Sequence, residues 1–380
     1  MPIYKVDGVI KDGKQKYKVR VNYMSNSGQA KQLTRMIYGS EEAKDLEREL
    51  IRKIKEEGEN PAAKMTVQEL YEEYVAAKKF EIRESSLDKI MRNYRIYVKP
   101  TMANVRIDKL TLPMLQKWKL SIEEKGLALR TKQHAYAQFR TILYYAVKME
   151  YIPKNPLATL GTFRDALHTR PEMDIFTAEE FMAFIATAKR QAEERQTQHH
   201  DLSEWEFYVF FNIAFFTGLR KGEIHALKWS DIDGSLLHVR RSITQKLKGD
   251  DRETPPKSKK SVRTLQMPSP LLKVLAEHRA RQERLDRFSE NFRVCGGERS
   301  LRDSTIEVRN KRYADLSGLT RIRIHDFRHS HVSVLANEGI NIQEIARRLG
   351  HAKVEMTWNT YSHLYPREEE KAVDILNRIA

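Results

Sequence analysis

Thr217-Gly218-Leu219-Arg220-Lys221-Gly222-Glu223-Ile224 stands at the end of the most apolar run in the chain. That run, Phe207 to Leu219, is 13 residues long and already contains Asn212, so it falls short of the roughly 20 apolar residues a membrane-spanning helix needs. It reads as a helix buried in a protein core and stopped by Gly218, the residue type that most readily takes the left-handed conformation at a helix end. Arg220 then falls at the start of the next element. Its forked donors can hold a phosphate bidentately there, and Glu223 can brace it. The same spacing also fits a plain surface arginine at a helix start, so the rest of the chain has to decide.

From about Thr177 onward the pattern changes type several times. Glu179 to Arg195 and Ser203 to Thr217 have helical spacing, Leu236 to Ile243 and Ser261 to Met267 read as strands, and the remainder returns to helix. This predicts a mixed α+β domain. A polar stretch, Lys246 to Lys260, joins the two strands and carries Lys257 in a loop of Pro, Ser and Lys. His325-Asp326-Phe327-Arg328-His329 sets His325 and Arg328 three residues apart, hence on one helix face with Phe327 turned elsewhere. A titratable donor beside a fixed cation suits a phosphodiester. A helix beginning near Asn341 ends at Gly350, His351 follows at once, and ten residues later comes Tyr361. A tyrosine near a C-terminus is ordinarily structural, but three other clusters converge with this one.

The order Gly218-Leu219-Arg220-x-Gly222-Glu223, a loop lysine, His325-x-x-Arg328-His329, Leu349-Gly350-His351 and Asn359-Thr360-Tyr361-Ser362-His363-Leu364 resembles the tyrosine-recombinase family, which includes lambda integrase and the integrases of conjugative transposons. The resemblance implies a site-specific recombinase that cuts and rejoins DNA through a 3′-phosphotyrosine, integrating or excising a prophage or mobile element. Arg220, Lys257, His325, Arg328, His351 and Tyr361 are the catalytic residues it implies, with Glu223 in support. Tyr361 would attack phosphorus, although a free phenol has a pKa near about 10 and needs help. Arg220 and Arg328 would hold the non-bridging oxygens, Lys257 would protonate the leaving 5′ oxygen, His325 would accept the proton of Tyr361, and His351 would donate to the phosphate. Lys259 and Lys260 compete with Lys257, which is preferred because Lys257-Ser258 matches the family's lysine-threonine turn. The phosphotyrosine keeps the energy of the broken bond, so no nucleotide and no other cofactor is expected. No Gly-x-x-x-x-Gly-Lys-Ser/Thr loop occurs.

Further out, residues 65–160 are almost wholly helical in pattern. Thr66 with Glu69 predicts a capping box, Ser85 or Ser86 a second start, Thr111 with Pro113 a third, and Thr131 a long helix carrying Tyr136, Phe139, Leu143, Tyr144 and Val147. Aromatic residues at such spacing read as packing. Tyr4 to Tyr38 alternates, with turn signals at Asp12-Gly13 and Ser25-Asn26-Ser27-Gly28. A three-stranded sheet follows, with Tyr17, Val19 and Val21 on one face and Lys16, Lys18 and Arg20 on the other. Ser40 then caps a helix to about Glu57. Residues 1–38 hold eight basic side chains against two acidic ones, which suits either a DNA groove or an ordinary solvated face.

The expected fold is therefore multidomain: a small β-sheet arm-type DNA-binding domain with one helix (1–63), an α-helical core-binding domain (64–162), a linker (163–175) and a mixed α+β catalytic domain (176–380). The arm and core assignments come from the resemblance. Lys16, Lys18, Arg20 and Lys132 are the candidate DNA contacts. A closing helix, Glu368 to Ile379, is too short to be stable alone. The resemblance implies that it docks on a neighbouring protomer of a homo-tetramer holding two DNA sites, and it allows a host DNA-bending or excision factor as a further partner.

Composition agrees with this reading. Lysine and arginine number 68 against 52 acidic residues, giving +16 and a pI near 9.6, a balance that favours double-stranded DNA as partner. The single Cys295 excludes an intramolecular disulfide framework, and the N-terminus has no signal-peptide core, so a reducing bacterial cytoplasm, at the nucleoid and without membrane contact, is the expected compartment. No metal is expected. Asp231-Ile232-Asp233-Gly234 opens like a calcium loop but has Ser242 at the twelfth position, and His199-His200 has no cysteines at zinc spacing. Two rival readings remain, a type IB topoisomerase-like relaxing enzyme and a catalytically idle architectural DNA-binding protein.

Overall fold

The computed structural model describes residues 3–24, 30–57, 65–164, 173–245, 251–254 and 262–365, together with 373, 376 and 377. The chain divides into two compact units, Met1–Thr169 and Arg170–Ala380.

The first unit opens with β1 (Ile3–Lys11), β2 (Lys14–Met24) and β3 (Ala30–Tyr38), antiparallel and adjacent in chain order. Asp12 and Gly13 both take positive φ in the first turn, the backbone that a tight hairpin demands. Alternation does the rest. Tyr17, Val19 and Val21 pack with Leu33 and Ile37 onto Ala43, Leu46 and Leu50 of α1 (Ser40–Glu57), while Lys16, Lys18 and Arg20 line the opposite, half-exposed face. The pairing of Lys18 with both Tyr4 and Met36 holds that register, and a slip of one residue would drive the cations into the core.

The helices of the first unit are α2 (Val67–Lys78), α3 (Glu84–Asn93), α4 (Lys99–Met102), α5 (Leu112–Glu123), α6 (Leu129–Lys148) and α7 (Pro156–Leu160), with a π turn, Tyr94–Val98, after α3. Thr66 caps α2 as expected: its Oγ1 accepts from the Glu69 amide at 3.2 Å, and Glu69 Oε2 accepts from the Thr66 amide at 2.6 Å. Two starts differ from expectation. α3 begins at Glu84 behind Arg83, and α6 at Leu129 behind Ala128, neither with a side-chain cap. Ser85, Ser86 and Thr131 therefore sit inside first turns, so packing and not capping sets these ends. Trp118, Phe139 and Leu70 form the core, and Trp118 Nε1 donates to the Tyr97 carbonyl at 2.7 Å. Phe163 is buried against Tyr136, so this packing continues past residue 162. Tyr144 is not packed as expected, being 44% exposed. Lys132 is ion-paired to Glu123 at 2.6 Å.

The second unit contains α8 (Ala178–His199), α9 (Ser203–Thr217), α10 (Lys221–Ala226), β4 (Ile232–Asp233), β5 (Leu236–Val239), β6 (Ser242–Thr244), β7 (Arg252–Thr254), β8 (Arg263–Gln266), α11 (Ser269–Gln282), α12 (Asp303–Ser317), α13 (Asp326–Asn337), α14 (Ile342–Leu349) and α15 (Val354–Tyr361). The strands form one sheet in the order β4-β5-β8 and a separate β6-β7 hairpin. The polar stretch 246–260 thus contains a strand that its composition hides. Asp231 closes a 3-10 turn, Ile232 and Asp233 form β4, and the hairpin turn to β5 is made by Gly234, at φ +55, and Ser235. α9 is apolar on nearly every side, with Phe207, Phe210, Phe211 and Ile213 buried, as expected of a helix at the centre of a core. Most of the closing helix predicted from Glu368 to Ile379 lies outside the described residues. Among the described residues no helix is long and apolar enough to cross a membrane.

Candidate active site

The functional clusters of the sequence converge in the second unit because helix ends deliver them. Gly218 stops α9 at φ +63, where any Cβ would come within 2.7 Å of the His331 ring, so glycine is required twice over. Its carbonyl accepts from Arg328 Nη1 at 2.7 Å. Leu349, at the end of α14, offers its carbonyl to Arg328 Nη2 at 2.8 Å. The guanidinium of Arg328, only 3% exposed, is thus held by the negative ends of two helices. Burial, and then the charge of Arg220, lower its pKa to about 9, which leaves it cationic at neutral pH.

Arg220 is the residue on which α10 begins. Its amide donates to Glu223 Oε2 and its Nη1 to Glu223 Oε1, each at 2.9 Å. Gly222 has to be small here, since a Cβ would lie 2.5 Å from the Ile243 carbonyl oxygen. Glu223 is 4% exposed and serves a second arginine. Arg263 of β8 reaches it through Nη2 at 2.9 Å and Nη1 at 3.2 Å, and donates its Nε to the Arg348 carbonyl at 2.6 Å. Burial alone would raise the Glu223 pKa. The hydrogen bonds and charge of Arg263, with the charge of Arg220, outweigh it and hold the carboxyl below its ordinary value. Arg263 was not singled out from the sequence. No spacing in the short strand Arg263-Thr264-Leu265-Gln266 marks it out.

His351 sits beside Arg328, its Nε2 at 2.9 Å from Arg328 Nη2 and its Nδ1 at 2.8 Å from Thr357 Oγ1. A guanidinium can only donate, so Nε2 accepts and the ring proton lies on Nδ1. Burial and three arginines, Arg328 first, push its pKa down to about 4, consistent with a neutral ring. Tyr361 ends α15 at 2% exposure, packed against Val332, Ile345 and Leu349. Burial raises its pKa to about 12, with Arg328 opposing. Its hydroxyl lies 2.6 Å from His329 Nδ1. His325, to which the sequence assigned this contact, precedes the first turn of α13 and meets His329 edge to face at 5.1 Å. The two histidines are four residues apart, and the later one, a turn further along α13, is the one that meets Tyr361. Lys257, Lys259 and Lys260 lie outside the described residues, in the connection from β7 to β8. Among the described residues no group of three or more His, Cys, Asp or Glu could hold a metal.

Arg220, part exposed, and Arg263, its side chain almost fully enclosed, share one buried carboxylate, the buried Arg328 lies within reach of their charge, and a neutral histidine and a phenol adjoin it. Such an array is suited to a phosphate with charge building on its oxygens. Comparison with known proteins agrees. The model of the phage integrase family matches residues 175–368, just over half of the chain, and that of the phage integrase SAM-like domain matches residues 66–164. The ICEBs1 integrase of Bacillus subtilis is 28% identical, with 88% of this chain and 89% of that protein aligned. A tyrosine recombinase XerC-like protein of Caldanaerobacter subterraneus is 26% identical, covering 97% of each. Among solved structures, the Tn1549 transposon integrase in complex with a circular intermediate DNA superposes with a TM-score of 0.66 at 19% identity, over 83% of this chain and 100% of that one. A lambda integrase dimer bound to a COC′ core site gives 0.57 at 15% identity, over 97% and 95%. The chain therefore belongs to the phage integrase family and is a site-specific DNA recombinase of the tyrosine type, the kind that moves integrating elements.

Proposed function

We propose that this recombinase cleaves one strand at a core attachment site by attack of Tyr361 on phosphorus, leaving a 3′-phosphotyrosine and a free 5′ hydroxyl. The observation that carries the assignment is the Tyr361 phenol within reach of the charge of Arg328, which among the described residues is bonded to carbonyls and a neutral ring and lies beside Arg220 and Arg263. Arg220 and Arg328 take the non-bridging oxygens, Glu223 and Arg263 fix Arg220, and Lys257 protonates the leaving oxygen. His351 donates to the phosphate once Arg328 has turned to it and the ring has taken its proton on Nε2, the Thr357 hydroxyl then donating to Nδ1. Loss of one such clamp costs about 3–4 kcal/mol, a hundredfold or more in rate.

The DNA partner follows from the same reading. Lys16, Lys18 and Arg20 on the open face of the first sheet suit arm-type sites, and the helices of residues 65–160 suit the core site. Lys132 is the weakest of the candidate contacts, because Glu123 already pairs with it. The lambda integrase structures include a tetramer bound to a Holliday junction, with a TM-score of 0.55 to this chain. That tetramer supports a homo-tetramer on two DNA sites for this chain; a bending or excision factor as a further partner and docking of the closing helix on a neighbouring protomer belong to the same proposal. A bacterial nucleoid is then the working location. The test is a suicide substrate carrying the cognate site, nicked so that cleavage traps the enzyme. Tyr361→Phe should bind it normally and form no covalent complex. A protease-sensitive adduct in that variant would place the nucleophile elsewhere.

A further inference from the structure

His329 has no role in the scheme above, yet it is the residue that touches the reacting oxygen. Its Nδ1 lies 2.6 Å from the Tyr361 hydroxyl. Its Nε2 faces Asp326 Oδ1 at 4.0 Å, one turn back on α13. Asp326 is 1% exposed, and its carboxylate is fixed by Arg323, whose amide, Nε and Nη2 donate at 2.9, 2.8 and 2.9 Å. A carboxylate on the Nε2 side favours the tautomer with its proton on Nε2, leaving the Nδ1 lone pair directed at the phenol. Nucleophile and base are thus in hydrogen-bond contact, while the carboxylate, at 4.0 Å beyond hydrogen-bond reach of Nε2, acts on the ring through its charge. His325 has the edge of its ring toward His329 and no hydrogen bond to Tyr361 among those of the structure.

We propose that His329 is the general base for Tyr361, and that Asp326 is the positioning residue that fixes its tautomer and steadies the imidazolium. This rests on Tyr361 being the nucleophile. In the cleavage step the Tyr361 oxygen forms a bond to phosphorus while the bond from phosphorus to the 5′ oxygen breaks. The phenolic proton passes to Nδ1 of His329, and the departing oxygen takes its proton separately, from the general acid assigned to Lys257. In rejoining, the incoming 5′ hydroxyl gives its proton back to Lys257 as its oxygen attacks phosphorus, the phosphotyrosine bond breaks, and His329 returns its proton to the phenolate. The groups facing His329 are Asp326, which favours the imidazolium, and Arg328, Arg323 and His325, which do not. The ring is accordingly held below its ordinary pKa, chiefly by burial, and is unprotonated and ready to accept at neutral pH.

The experiment measures single-turnover cleavage of a nicked core-site duplex by the full chain, with DNA affinity measured in parallel by gel shift. His329→Ala should bind DNA normally and cleave about a hundredfold or more slowly, with part of the rate restored by free imidazole. His329→Asn, which can accept a hydrogen bond but not a proton, should be as slow. Asp326→Asn should lower the cleavage rate without weakening binding, since it removes the charge that favours a proton on Nε2 and steadies the imidazolium. A substrate with sulfur in place of the 5′ bridging oxygen leaves without protonation. It should not rescue the His329 and Asp326 variants, which separates them from loss of the acid. Full activity in His329→Asn, or rescue of that variant by the sulfur substrate, overturns the proposal. Covalent complex from Tyr361→Phe in the same assay overturns the nucleophile assignment instead.

Discussion

Replacing Glu223 by glutamine is the most searching perturbation of the site, because it keeps the volume and removes the charge. The carboxylate is buried and accepts four hydrogen bonds, two from Arg220 and two from Arg263. Glutamine has one accepting oxygen, and its amide nitrogen would face donors it cannot bond. Two arginines, one of them with a side chain only 6% exposed, would then lack their counterion. Removing one member of a buried charge network costs about 3–5 kcal/mol, much of a typical domain stability of about 5–15 kcal/mol. In urea at pH 7 the second unit should therefore unfold at clearly lower denaturant, and cleavage should fall about a hundredfold as Arg220 loses its brace. The sign of the pH dependence is fixed as well. The Glu223 pKa is lower in the folded state than in the unfolded chain, so its stabilisation is present above the ordinary carboxylate range and fades as pH falls through the folded value. Wild type and variant should converge in acid. A Glu223→Gln protein as stable and as active as wild type at pH 7 would refute the role of this carboxylate as the common anchor.

Three further outcomes can be checked. Lys257→Ala should slow cleavage about a hundredfold and, unlike the His329 variants, recover on the substrate with a sulfur leaving group. If it loses nothing, Lys259 or Lys260 is the acid. Removing residues 1–60 should leave core-site cleavage intact while reducing affinity for arm-containing DNA and flattening its salt dependence; an unchanged salt slope would assign the cationic sheet face to solvent alone. His331 is buried and bonded to the Phe215 backbone, and burial lowers its pKa to about 3. The stability it contributes is present above about pH 6.5 and is lost as pH falls toward that value. The urea midpoint should drop over this window, and His331→Gln should flatten the drop.

What could be read in the sequence depended on whether a feature is local. Thr66 and Glu69 cap α2, Gly218 and Gly350 stop their helices, and Arg220 with Glu223 form a contact within one turn, all of them settled by neighbours in the chain. The sheet face of Lys16, Lys18 and Arg20 followed from alternation alone. Features built from distant segments were not legible. Arg263 reaches Glu223 across 40 positions and His329 reaches Tyr361 across 32, and no periodicity encodes either distance. The contact given to His325 went one turn astray because the motif names two histidines on one helix, and only the packing of α15 selects between them. The strand β7 was hidden because a short exposed hairpin needs no apolar alternation.

The three arginines are not held alike, and the difference shows what the substrate adds. Arg220 and Arg263 are neutralised in part by Glu223. Among the described residues Arg328 has carbonyl oxygens and a neutral imidazole as hydrogen-bond partners, so helix ends hold it directly and Glu223 acts on its charge without a bond. None of these partners carries a negative charge, whereas a carboxylate partner would compete with phosphate for the same donors. The site is thus built with an excess of positive charge, and burial first, then the charge of Arg220, lowers the pKa of Arg328. A phosphodiester brings one negative charge, and the five-coordinate state brings more. Attraction therefore grows along the reaction instead of being spent on binding, which is the condition for electrostatic catalysis. Glu223 sets the balance: it is near enough to fix two arginines and bonded too fully to oppose the phosphate.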